Sequence, residues 1–142
     1  MSQKDLYITT LKNAGYSNTA ARSVVFAALN GAEPQTMAQL LKKVEATINR
    51  ASLYRTIGLF EQLGIVQKLY IGFGYKLELT DLFSHHHHHI LCLGCGRLIP
   101  LDEHEQIERL IVLLAKRHGV LAKRHQLEIQ GYCHECQQKT IA

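Results

Sequence analysis

Four cysteines stand as two Cys-x-x-Cys pairs, Cys92 with Cys95 and Cys133 with Cys136, separated by 37 residues, and five consecutive histidines, His85 to His89, run up to the first pair. Thiolate sulfur and imidazole nitrogen are ligands that zinc favours, and two such pairs supply the four thiolates of a closed, tetrahedral structural site. The opening stretch MSQKDLYITTLKNAG lacks the basic-then-apolar order of an export signal. A cytoplasmic location is therefore expected, with the thiols reduced rather than joined as disulfides. Gly94 and Gly96 flank Cys95 and Gly131 precedes the second pair, where a tight ligand-bearing turn needs permissive backbone.

The histidine run lies inside the chain, between a strand-like stretch and a cysteine pair, which is not where an affinity tag is placed. A solvated loop and a set of metal ligands are the two readings that remain. Successive side chains on a strand point to opposite faces, so His86 and His88 would face one way and His87 and His89 the other. One short strand then contributes two imidazoles to each of two metal sites. Further ligands for the first are Glu108 and His125, and for the second Glu78 or Asp81. Imidazole suits zinc, iron, nickel and copper, so ligand type alone does not name the metal.

Helices must position the first half of the chain. DLYITTLKNAG places Leu6, Leu11 and Ala14 near helical spacing. TAARSVVFAALNG starts from a Thr19 cap, with Asn18 the other candidate, MAQLLKKV follows Thr36, and ASLYRTIGLFEQLG opens after Asn49. In the last of these Leu53, Ile57, Phe60 and Leu63 form one apolar stripe. The period then changes: IVQKLYI, a GFG turn and YKLELT alternate as a two-stranded ribbon. Helices followed by such a ribbon fit a winged helix-turn-helix, whose last helix enters the major groove of DNA, and equally any small helical domain with a hairpin. Beyond it, HHHILCL, GRLIPL and HQLEIQGYC read as strands and DEHEQIERLIVLLAKRHG as a helix with Ile107, Leu110, Ile111 and Leu114 on one face. The expected class is α+β, with a winged helix-turn-helix over 1–82 and a small α/β dimerisation domain with a four-cysteine zinc site over 83–142. Residues 1 to 80 hold six Lys and three Arg against five acidic residues, whereas residues 81 to 142 balance seven against seven. All the net charge of +4 thus sits in the first half, which on charge alone suits a solvated basic surface better than an anionic partner, though it leaves room for one. No run of about 18 uncharged apolar residues is present to span a bilayer.

Taken in order, TAAR at Thr19 to Arg22, ASLYRTIGLFEQLGIV, the histidine run, CLGCG, HGVLAKRH and GYCHEC resemble the Fur superfamily of bacterial metal-dependent repressors. The likeness spans about residues 10 to 136. It implies that Tyr54 and Arg55 face the major groove, with Arg22 and Ser52 as further DNA-binding residues. An arginine fork there bonds a guanine edge and a tyrosine ring packs on thymine methyls. It also implies that the four cysteines hold structural zinc and that His86, His88, Glu108 and His125 form a site linking strand, helix and last strand. His87, His89 and Glu78 match part of a sensor site near the interdomain hinge, with Asp81 as a possible replacement for a missing ligand. Several positions depart from the family pattern. Gln35 stands at a hinge-site histidine, Pro100 at an acidic residue, Gln67 at an aspartate of the zinc-sensing branch and Ser17 at a minor-groove lysine. His88 replaces an aspartate common in iron sensors, giving three imidazoles and one carboxylate, a donor set that leans to zinc over iron(II).

The resulting expectation is a homodimeric cytoplasmic repressor that binds operator DNA, with one structural zinc per chain and a second regulatory metal, zinc or iron(II). The rivals are a zinc hydrolase, which would need an open coordination position and a base, and a metal-storage or chaperone protein, for which Tyr54 and Arg55 would be irrelevant.

Overall fold

Side-chain caps set the starts of the first four helices. Ser2 and Asp5 cap α1 (Gln3–Asn13) reciprocally, Thr19 accepts from Arg22 N at α2 (Ala20–Leu29), Thr36 and Gln39 box α3 (Met37–Val44), and Asn49 accepts from Ser52 N at α4 (Arg50–Gln62). Each cap contributes about 1 kcal/mol. Thr19 takes the α2 cap because the Asn18 Oδ1 is already committed, accepting from the Tyr7 and Ser23 hydroxyls at 2.9 Å each. The computed structural model describes residues Met1 to Ile141 and separates into two units, Met1–His85 and the residues from His86 onward.

In the first unit Leu53, Ile57 and Phe60 of α4 are buried, as their spacing predicts, and Leu63 packs against them from the C-cap. Helix α1 joins this core differently from expectation. Tyr7 and Leu11, one turn apart, are buried, while Leu6 is half-buried and Ala14 exposed. The reason is aromatic: Tyr7 stacks on Phe26 with centroids 4.1 Å apart and receives the edge of Phe60 at 5.8 Å, and Phe83 meets Phe26 edge-on at 5.7 Å. Strands β1 (Val66–Ile71) and β2 (Gly74–Leu79) pair antiparallel through a two-residue turn at Gly72 and Phe73. Gly72 has φ 58° and Phe73 has a negative φ, the arrangement of a type II′ hairpin with glycine first. The backbone of Gln35 bridges Leu77 in both directions, at 3.0 and 2.6 Å.

In the second unit β3 (His87–Cys92) is the central strand, antiparallel to β4 (Leu98–Asp102) and parallel to β5 (Glu128–Gly131). Pro100 sits on the edge strand β4, where a missing N–H is tolerated. Helix α5 (Glu105–Arg117) precedes β5. The last strand stops at Gly131 rather than running to Cys133, and a helix the periodicity did not announce, α6 (His134–Ile141), follows.

The two units differ in what fills them. The apolar cluster of buried residues belongs entirely to the first. Among the described residues of the second, the buried side chains are His88, His89, Leu91, Cys92 and Cys136. No residue of α5 is buried: Ile107 and Ile111 are half-covered, and Leu110 and Leu114 are 53% and 46% exposed. The apolar face read from the sequence exists but lies open in the single chain. No helix among the described residues is long and apolar enough to cross a membrane.

Candidate metal centres

The cysteine pairs reach one point from two turns. Cys92 ends β3, and the chain folds back at once: Gly96 N donates to Cys92 O at 2.9 Å and Cys92 N to Arg97 O at 2.9 Å. Cys133 and Cys136 straddle the start of α6, where a three-residue step brings both thiols to one side. All four are free thiols whose sulfurs lie within 4.8 Å of one another. Cys95 Sγ and Cys133 Sγ are 3.9 Å apart, against about 3.8 Å for the edge of a tetrahedron with Zn–S bonds near 2.3 Å. The residues fit zinc. The Cys133 N–H donates to Cys92 Sγ at 3.2 Å, and this bond with further amides lowers the Cys92 thiol to about 6. Hydrogen bonding to Cys133 and Cys92, with burial, pushes Cys136 up to about 12. The amide hydrogen bonds thus favour the thiolate at Cys92, whereas the surroundings of Cys136 favour its thiol, whose proton a bound cation would displace.

Gly94 is indispensable to this geometry. A Cβ there would sit 2.8 Å from Cys136 Sγ and 2.9 Å from Cys136 Cβ. Gly94→Ala is expected to displace Cys136 from the ligand set and weaken zinc retention at least about 10-fold, as disturbing a ligand's support does. A chelator-competition titration against the parent chain reads the change, and equal retention would show that the turn absorbs a methyl group.

The histidines alternate as strand geometry requires. The rings of His86 and His88 meet at 4.7 Å, and those of His87 and His89 meet at 4.7 Å. On the first face the imidazoles converge on Glu108 from α5, whose oxygens lie 2.7 Å from His88 Nε2, 2.8 Å from His125 Nε2 and 3.5 Å from His86 Nε2. His86 Nε2 and His125 Nε2 are 3.0 Å apart, close to the roughly 3.3 Å edge of a tetrahedron with bonds near 2.0 Å. Burial raises the Glu108 carboxyl, but the hydrogen bond from His88 and the neighbouring imidazoles outweigh it and hold the group below the usual carboxylate range. Three nitrogens and an ionised carboxylate therefore face one small space, a donor set that fits a tetrahedral zinc.

Of the remaining candidates, Glu78 is buried within the first unit, where its Oε1 accepts from Gln67 Nε2 at 2.8 Å. Asp81 is exposed. Gln35 turns into the first unit, donating from Nε2 to Ala28 O at 3.0 Å, and its buried Oε1 has no hydrogen-bond partner among the described residues.

Tyr54 and Arg55 are exposed on α4, outside the buried stripe of Leu53, Ile57 and Phe60. Ser52 Oγ accepts from Arg55 Nη2 at 3.3 Å. Arg22 is half-buried, lies 5.4 Å from the Tyr16 ring and donates to the Ser17 carbonyl. Arg50 was not anticipated: its guanidinium lies 5.5 Å over the Tyr54 ring. The four-residue spacing of the two on a helix is the signal that finds it.

A model of the ferric uptake regulator family matches residues 13–130. The ferric uptake regulation protein of Yersinia pestis is 33% identical over 129 residues, covering 87% of this chain and 85% of its own. The crystal structure of the Vibrio cholerae ferric uptake regulator is 29% identical, with a TM-score of 0.70 over 88% of this chain and 98% of that one. The Helicobacter pylori regulator, described as having three functional metal binding sites, shares the fold with a TM-score of 0.77 at 21% identity, over 95% of this chain and 91% of that one. The chain belongs to the ferric uptake regulator family, whose members are metal-responsive transcriptional regulators.

Proposed function

We propose that the chain is a cytoplasmic, homodimeric repressor that binds operator DNA when metal is available, with zinc as the corepressor. The observation that carries this reading is the meeting of His86, His88 and His125 with Glu108 in a chain that also exposes Tyr54 and Arg55 on one helix. Residues 1–82 act as a winged helix-turn-helix, with α4 as the recognition helix and the β1–β2 hairpin as the wing. Residues 83–142 act as the metal-binding dimerisation domain. The open face of α5 supports a two-fold contact, since Leu110 and Leu114 stay about half exposed in a single chain.

Cys92, Cys95, Cys133 and Cys136 hold the structural zinc, and His86, His88, Glu108 and His125 hold a second metal. His87 and His89 belong to a further sensor set with Glu78, which the family pattern assigns there, and with Asp81 as the replacement for a missing ligand. Bound metal supplies a cross-link and no reaction, since four protein ligands leave no open coordination position for hydrolysis. His86 and His88 on the strand side, Glu108 on α5 and His125 before β5 are thereby tied together. Fixing them favours the arrangement in which both recognition helices of a dimer meet successive major-groove half-sites. Operator DNA then tightens metal binding by the same factor.

Fluorescence anisotropy of DNA from the chain's own promoter tests this under buffered free zinc and, separately, anaerobic iron(II). Zinc alone is expected to switch binding on. A response to iron(II) alone would make the chain an iron sensor despite His88, and binding indifferent to both would end the corepressor reading. Replacing Tyr54 and Arg55 together by alanine is expected to cut operator affinity by about 10- to 1,000-fold while metal uptake stays unchanged. A metal-storage protein would be indifferent to the substitution.

A further inference from the structure

The register of the second sheet fixes which donors share a face, because directly paired residues of neighbouring strands point to the same side. On the face of His87 and His89, β4 places Leu98, Pro100 and Asp102, and β5 places Glu128 and Gln130. The carboxylates among these stand directly opposite the histidines: Asp102 pairs with His87, and Glu128 with His89. In an antiparallel pair such as His87 with Asp102 the Cβ atoms lie about 4.5–5.5 Å apart. One metal ion bridges that span, with an imidazole bond near 2.0 Å and a carboxylate bond of about 2.0–2.2 Å. The two carboxylates differ in what they already do. Glu128 Oε1 accepts from Gln130 Nε2 at 2.5 Å, whereas no hydrogen bond or ion pair among the described residues engages the Asp102 carboxylate. Asp102 is also exposed at the end of β4, so its short side chain is free to turn toward His87.

We infer that Asp102 is a ligand of the metal that His87 and His89 bind, so that the ion ties β4 to β3. The inference rests on the reading above that these two histidines hold metal, and deepens it by naming a donor from their own sheet. Their rings lie 4.7 Å apart, and two neutral imidazoles bring no negative charge to a dication. Asp102 supplies it. Opposite His89, β4 offers only Pro100, which has no side-chain donor, so Asp102 is the one carboxylate that β4 places on this face. One carboxylate for two imidazoles is a harder donor set than the three imidazoles and one carboxylate of the opposite face, and is less biased toward zinc.

The test loads zinc and, separately, cobalt(II) into parent, Asp102→Asn, Asp102→His and Glu128→Gln proteins whose cysteine sites already hold zinc, in competition with a chromophoric chelator. Asp102→Asn is expected to weaken, at least about 10-fold, the binding step that His87→Ala with His89→Ala removes, since losing a ligand costs no less than losing its outer-shell support. The step that depends on Glu108 should stay in place, and Glu128→Gln should leave both steps unchanged. Asp102→His exchanges oxygen for nitrogen, so it should hold the step within about 10-fold and move its cobalt(II) visible absorption to higher energy. A residue that merely braced the sheet would not alter that spectrum. In protein already lacking both histidines, Asp102→Asn should change nothing further. An undisturbed step in Asp102→Asn, an equal loss at both steps, an equal loss from Glu128→Gln or an unmoved cobalt spectrum in Asp102→His overturns the assignment. If the parent protein shows no step that depends on His87 and His89, the metal reading of that face falls and Asp102 falls with it. A step that depends on the two histidines and ignores Asp102 sinks the ligand alone.

Discussion

Replacing Cys92 and Cys136 by serine is expected to remove one zinc per chain and to unfold the residues from His86 onward, leaving Met1–His85 folded. The expectation follows from what is buried. The first unit encloses Tyr7, Phe26, Phe60 and Phe83 with the aliphatic residues around them, and that core needs nothing from the cysteines. In the second unit Leu91 is the one buried aliphatic side chain among the described residues, beside His88, His89, Cys92 and Cys136. A single leucine offsets about 1.5–3 kcal/mol, far less than the entropy of ordering three strands and two helices. Zinc bound by four thiolates contributes about 10–16 kcal/mol in small metal-folded domains, the scale of a whole domain's stability of about 5–15 kcal/mol. Hydrogen exchange resolved by segment reads the outcome: protection should vanish from β3 to α6 and persist in α1 to α4. Retained protection across β3 and β5 in a zinc-free variant would show that the sheet is held by something other than the cysteines.

The same imbalance explains which parts of the fold could be read from the sequence. In the first unit the stripe of Leu53, Ile57 and Phe60 and the caps at Thr36 and Asn49 are local signals backed by a core, and the elements form where those signals place them. Tyr7 was missed because its burial depends on stacking against Phe26 from another helix, a contact that spacing within α1 does not contain. In the second unit the chemistry was more legible than the packing. The alternation of His86 and His88 with His87 and His89 follows from the pleat alone, and the rings pair accordingly. The sequence HECQQKTI has no apolar stripe, so α6 left no periodic trace; its first turn is organised by Cys133 and Cys136 instead. The inward turn of Gln35 toward Ala28 was equally illegible, because a glutamine beside a proline carries no local preference for the interior.

Two double substitutions, His86→Ala with His88→Ala and His87→Ala with His89→Ala, are expected to remove different metal equivalents. All four residues lie within one run, so composition and charge change identically in the two variants and only the strand face differs. The first pair removes two of the three imidazoles that converge on Glu108 and leaves His125 2.8 Å from that carboxylate. Two ligands cannot hold a tetrahedral zinc against water, so affinity at that site should fall by more than the roughly 10- to 100-fold that loss of an outer-shell partner costs. The second pair leaves that cluster intact while removing both rings of the opposite face. Competition titrations with a chromophoric chelator should therefore lose a different step of the binding curve in each variant, with the cysteine-bound zinc retained in both. Loss of the same step by both pairs would mean that the run does not divide by strand face and that the five histidines act as one undifferentiated tract. Glu108→Gln separates the sites further. It keeps the side chain's size but removes the charge that His88 and its neighbours stabilise, so it should weaken only the step lost in the His86 and His88 variant. A carboxylate that merely pairs with protonated histidines would leave that step in place, whereas a ligand takes it away.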